Sequence, residues 1–125
     1  MKETVLRLFD DLNKGTSRKK YIRLNNRNTI IDASEVQYIK REGMKVIFHT
    51  VARDYEVYSS FTKLKDQLPP NFVRCHKSFI ANINNITKLE PTSNTIYFSN
   101  NFKCDIGPKY KNDFLNGVKI YECFN

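Results

Sequence analysis

Apolar side chains first change their spacing near Lys20. Before that point Val5, Leu8, Phe9 and Leu12 fall at i, i+3, i+4 and i+7, one face of a helix, and Gly15 suits a left-handed helix stop. The pattern predicts an amphipathic helix over Thr4 to Lys14 and a polar, basic connection from Gly15 to Lys20. Its apolar stripe fits either packing on the rest of the chain or the end of a linker from a preceding domain.

Beyond Lys20 the helical period gives way to short runs rich in β-branched and aromatic residues. Strands are expected at Tyr21 to Leu24, Thr29 to Asp32, Val36 to Lys40, Lys45 to Val51 and Tyr55 to Tyr58. Turn residues separate them at Asn25 to Asn28 and at Arg41 to Met44, the latter with Gly43. Ser60 is placed to cap a short helix with Phe61, Leu64 and Leu68 on its apolar side, and Pro69 and Pro70 stop it. Strand pattern resumes at Ile83 to Glu90, Thr95 to Phe98 and Phe102 to Ile106, with Ser99 to Asn101 as a hairpin turn. Gly107 and Pro108 end the last strand, and Pro108 suits the first turn of a final helix bearing Tyr110, Phe114, Leu115 and Val118 on one side. The fold expected is mainly β, with antiparallel sheets and short peripheral helices, over residues 20–120 behind an N-terminal helix and linker at 1–19.

A chain of 125 residues suits one domain, and 40% hydrophobic against 27% charged residues favours a folded globule. Its apolar runs fall far short of the roughly 18 residues that span a bilayer, and the first residues lack a secretory pattern, so a soluble, cytoplasmic protein is expected. Cys75, Cys104 and Cys123 are too few and too irregular for a disulfide framework or a paired metal motif; buried thiols are expected. Cys75 and Cys104 are nevertheless candidates for neighbouring strands and for a redox pair that bridges under oxidation.

Charge sharpens this reading. The net charge is +8, and the excess is concentrated: Lys14 to Arg27 holds six cations and no acid, and a second group gathers Arg74, Lys77, Lys103, Lys109 and Lys111. The segment LPPNFVRCHKSFIAN, Leu68 to Asn82, sets Arg74, His76, Lys77 and Ser78 between apolar anchors, so phosphate and base donors sit where the chain leaves the core. Such a cluster in a basic chain points to nucleic acid.

From Phe61 to Asn82 the sequence resembles the LytTR-type DNA-binding domain, the C-terminal effector domain of many bacterial response regulators. The resemblance is carried by the short helix SFTKLKDQL, the proline break and the motif F-x-R-x-H-x-S-F-x-x-N, met by Phe72, Arg74, His76, Ser78, Phe79 and Asn82. Ile86, Leu89, the strand Glu35 to Ile39 and the hairpin ending at Ile106 also fit, so the resemblance runs over about Tyr21 to Val118. It implies an elongated, largely antiparallel fold whose loops, instead of a recognition helix, enter successive major grooves on one DNA face. By position those loops are Arg41 to Lys45, Cys75 to Ser78 and Gly107 to Lys111. Lys77, Lys109 and Met44 or Lys45 then occupy reading positions, with Tyr110 beside the third.

The residues also have a reading without the family. Lysine can donate to guanine in the major groove, without the planar fork that makes arginine bidentate. Ser78, Arg41, Lys45 and Lys111 suit phosphate anchoring, which supplies affinity and register but reads no bases. His76 lies between two candidate nucleophiles, but side chains of adjacent strand residues point apart, so a packing role is expected in place of catalysis. With 4 glycines and no nucleotide fingerprint or ligand cluster, no enzyme, cofactor, metal or small-molecule substrate is expected. The expected partner is double-stranded promoter DNA carrying repeats, with a second copy as dimer partner. The alternatives are a basic module docking an acidic protein and, given 7 Tyr and 9 Phe, an RNA-binding domain. The chain shows no receiver domain, so it is either the effector part of a longer regulator or a standalone copy.

Overall fold

A computed structural model describes residues 21–24 and 29–123. The predicted N-terminal helix, the basic connection behind it and the Asn25 to Asn28 turn lie outside the described residues.

The described residues build three antiparallel sheets. A two-stranded ribbon pairs β1 (Tyr21–Arg23) with β2 (Ile30–Asp32). The main sheet has five strands in the order β5-β4-β3-β7-β6, formed by β3 (Val36–Glu42), β4 (Lys45–Thr50), β5 (Asp54–Tyr58), β6 (Phe72–His76) and β7 (Phe79–Asn82). A third sheet runs β10-β9-β8, from β8 (Ile86–Glu90), β9 (Thr95–Phe98) and β10 (Lys103–Asp105). Among the described residues two α-helices complete the fold, α1 (Phe61–Leu64) and α2 (Lys111–Cys123).

Alternation along the strands of the main sheet feeds two cores. Ile39, Val46, Phe48, Val57 and Ile80 face the ribbon and α1, where Ile22, Leu24, Phe61 and Leu64 meet them. Tyr38, Val73, Cys75, Phe79 and Ala81 face the third sheet and α2, against Ile96, Phe98, Cys104, Ile106 and Phe114. Covered on both faces, the main sheet is a rigid plate. Val36 and Ile39 reach the same core although three residues apart, because the register shifts between Val36 and Tyr38.

Asn82, fully buried, fastens this plate to the chain around it. Its side-chain amide donates to the carbonyls of Val36 at 2.8 Å and Ala33 at 3.3 Å, and its Oδ1 accepts from Asn71 Nδ2 at 2.6 Å and from the Asn84 amide at 3.1 Å.

Several expectations need correction. The basic segment is itself a hairpin of two strands, and β7 lies inside the main sheet. The strand expected from Ile83 starts at Ile86, since Asn82 caps a 3-10 turn over Ile83–Asn85. Ser60 does cap the short helix, accepting from Lys63 N at 3.2 Å, but α1 passes into a 3-10 turn at Lys65–Gln67 and leaves Leu68 extended. The final helix begins at Lys111, so Tyr110 belongs to the preceding turn. Cys75 and Cys104 are not on neighbouring strands of one sheet; they lie on edge strands of two sheets and meet through the core.

Candidate nucleic-acid interface

One end of the main sheet carries three turns side by side. The first joins β3 to β4 through Gly43 and Met44; Gly43 takes a positive φ of 64°, free of Cβ strain, and Met44 stands 85% exposed. The second joins β6 to β7 through Lys77 and Ser78, with His76 paired to Phe79 beneath them. The third runs from Gly107 to Tyr110, between β10 and α2. Backbone hydrogen bonds tie each outer turn to the middle one: Arg41 N–H donates to Ser78 O at 2.8 Å, and Gly107 N–H to Cys75 O at 2.7 Å.

Inside the middle turn, Arg74 and His76 are structural. Arg74 donates through Nε to His76 O at 3.1 Å and through Nη2 to Lys77 O at 2.7 Å, with its guanidinium over the rings of Phe61 and Tyr110. His76 Nδ1 accepts the Ser78 N–H at 3.0 Å, which puts the ring proton of the neutral form on Nε2, and its ring packs on Phe79. A Cβ at Gly107 would lie 3.2 Å from His76 Cδ2 and 3.4 Å from Tyr110, so glycine is what lets the third turn press against the second.

The candidate readers and anchors divide into two groups. Lys77, Lys109 and Arg41 are exposed and, among the described residues, form no ion pair. Lys45 is committed to Glu56 at 2.7 Å, and that hydrogen bond and charge raise its pKa. Lys111 donates to Pro91 O at 2.8 Å, so it also ties the third turn to the β8–β9 connection. Ser78 contributes both backbone groups to the turn contacts. Tyr110 lies half-buried below Arg74.

Sequence reasoning missed the residues beside the first turn. Tyr58, 82% exposed, faces Lys45 across the β4–β5 ladder, and Ser59, Ser60 and Lys63 follow it at the start of α1. The signal was the alternation along β5, which turns Tyr58 outward from Val57.

Cys75 is fully buried, and its Sγ lies 3.9 Å from Cys104 Sγ. Contact with that sulfur, then burial, pushes the Cys104 thiol far up. His76 faces its own turn, so the two neighbours form no nucleophile and base pair. His49 is engaged elsewhere, with Nδ1 at 2.9 Å from Asp54 and its ring against Tyr38. Among the described residues no group of three His, Cys, Asp or Glu side chains is placed to hold a metal ion.

Comparison with known proteins agrees with this geometry. Residues 26–118 match the LytTr DNA-binding domain. The chain belongs to that family. DNA binding is the activity this membership carries. Among LytTR relatives, the sensory transduction protein LytT of Bacillus anthracis is 35% identical over 69 residues, 54% of this chain and 28% of its own length. The transcriptional regulatory protein YpdB of Escherichia coli K12 is 28% identical over 74 residues, 58% of this chain and 30% of its own. Accessory gene regulator protein A of Staphylococcus aureus is 35% identical over 60 residues, 48% and 25% of the two chains. The matched stretch thus spans under a third of these relatives. A solved LytTr DNA-binding domain of a putative methyl-accepting/DNA response regulator from Bacillus cereus superposes with a TM-score of 0.68 at 22% identity, covering 83% of this chain and 98% of that one; it shows the same fold.

Proposed function

We propose that this domain binds duplex DNA sequence-specifically, as the effector of a bacterial transcription regulator with no chemistry of its own. The three turns present their tips to successive major grooves on one side of the duplex. The supporting observation is the pair of backbone bonds, Arg41 to Ser78 and Gly107 to Cys75, that holds the turns in a row with Lys77 and Lys109 free at the tips. Lys77 and Lys109 read base edges; Arg41, Ser78 and Lys111 hold phosphates, and Met44 supplies an apolar contact at the first turn. Paired sites on promoter repeats, occupied by two copies, would supply specificity that one small domain lacks. A cytoplasmic setting follows from that work. No described helix is long and apolar enough to cross a membrane.

Stacking of single-stranded nucleic acid is less favoured by the rings near these turns. Phe79 and Tyr110 are half-buried beneath His76 and Arg74, which leaves, among the described rings near the turns, Tyr58 exposed. A second proposal, resting on their sulfur contact, is that Cys75 and Cys104 bridge by passing two electrons and two protons to an external oxidant such as a peroxide or a small disulfide.

Salt titration of binding to a selected duplex tests the reading. Affinity should fall by about three decades or more between roughly 50 and 200 mM salt if six or more phosphates are neutralised, and should exceed that for random duplex. A flat salt response would overturn it, and equal competition by an acidic protein partner would favour a protein-docking module.

A further inference from the structure

Beside the first turn, between Arg41 and Met44 on one side and Tyr58, Ser59, Ser60 and Lys63 on the other, lies an open cleft of about 460 Å³. We propose that it seats a backbone phosphate of the DNA, a fourth contact beyond the three turns, with Lys63 and Arg41 as its cations and the hydroxyls as donors. The inference rests on the duplex-binding reading above, shares Arg41 with it, and adds Lys63 and Ser60, which that reading does not use.

Charge around the cleft carries the argument first. The carboxylates flanking the turn are already neutralised, Glu42 by Lys40 at 3.8 Å and Glu56 by Lys45 at 2.7 Å. Arg41 and Lys63 are exposed and form no ion pair among the described residues, and Arg74 in the back wall spends its donors on neutral carbonyls. Arg41, Lys63 and Arg74 all line the cleft, and among the described residues no acid lines it, the electrostatic setting for an anion.

Donor chemistry points the same way. Ser60 Oγ accepts the Lys63 amide, which leaves its own proton free to donate outward. Tyr58 projects its ring and hydroxyl from the rim opposite Met44, so the cleft has walls on both sides. Position chooses the source of the phosphate. The cleft opens at the end of the sheet where the first turn would enter a groove, and the strand bordering that groove is the anion at hand.

The test compares the wild-type domain with Lys63→Gln and Lys63→Arg, using a selected duplex, a random duplex and a set of selected duplexes in which single phosphates are replaced by neutral methylphosphonates. Lys63→Gln should lower the slope of log K against log salt by about 0.9, the value of one lost phosphate contact, and weaken both duplexes by a similar several-fold factor. It should also lose the wild type's sensitivity to one or two methylphosphonate positions bordering the first turn, while Lys63→Arg keeps the wild-type slope and scan. A Lys63→Gln slope and scan matching wild type would overturn the phosphate seat and leave duplex binding standing. A wild-type domain without salt dependence would bring down both.

Discussion

Arg74 Nη2 donates to the carbonyl of Lys77 at 2.7 Å, so the cation that the sequence marks as a DNA ligand shapes the turn that carries its neighbour. Arg74→Ala removes two charge-assisted bonds from a half-buried turn and should cost about 2 kcal/mol in urea unfolding. Arg74→Lys should recover little, because an ammonium lacks the fork that spans His76 O and Lys77 O. Preference for selected over random duplex should fall while the salt slope changes little; a slope lowered by a full phosphate would make Arg74 a direct contact.

Lys77→Ala and Lys109→Ala should each narrow the gap between selected and random duplexes by about 1–3 kcal/mol. Lys111→Ala, which removes the proposed phosphate anchor and the bond to Pro91, should weaken every duplex alike. Equal effects of all three on both duplexes, in equilibrium titrations at one salt concentration, would misassign the readers.

Asn82→Ala should destabilise the domain by about 2 kcal/mol, because it strips the acceptor from the buried Asn71 amide and the Asn84 N–H, while the carbonyl of Ala33 keeps the Val36 N–H. Val36 O keeps Asn85 Nδ2 at 2.9 Å, which limits the loss. Asn82→Asp should be at least as damaging, since it turns an oxygen toward those carbonyls; chemical denaturation monitored by circular dichroism measures both.

The Cys104 thiol, raised by its contact with Cys75 and by burial, stays protonated in the folded domain after an unfolded chain's thiols have begun to ionise. The unfolded state then binds fewer protons, so this contribution to stability is present below about pH 8.5, the ordinary thiol value, and is lost progressively above it. In a Cys123→Ser background, alkylation of Cys75 and Cys104 should be slow in the native protein even at pH 9 and fast in urea. Rapid native labelling would contradict the buried pair.

Legibility in the sequence followed physical locality. Strands β3, β4 and β5 were visible because each carries its own apolar alternation, and Ser60 because a cap is a contact within one turn. The hairpin of β6 and β7 was obscured by its function: Arg74, His76, Lys77 and Ser78 read as a loop, although Val73, Cys75 and Phe79, Ala81 supply the alternation of two strands. Ile83 looked like strand because its side chain is apolar; the buried Asn82 cap, a tertiary demand, bends the chain there. At the interface, the tip lysines were legible as charges, but partners from distant sequence decided the others. Nothing local announces that Glu56 takes Lys45, that Pro91 takes Lys111, or that Tyr58 flanks Met44.

The Gly107 to Cys75 bond uses main-chain atoms only, as does the link from Arg41 to Ser78. Alignment of the tips is therefore indifferent to which side chains the tips bear. If Lys77 and Lys109 read bases as proposed, exchange at positions 77 and 109 would retarget such a domain without refolding it, so a new address would need only a few surface substitutions while the scaffold stays under separate constraint.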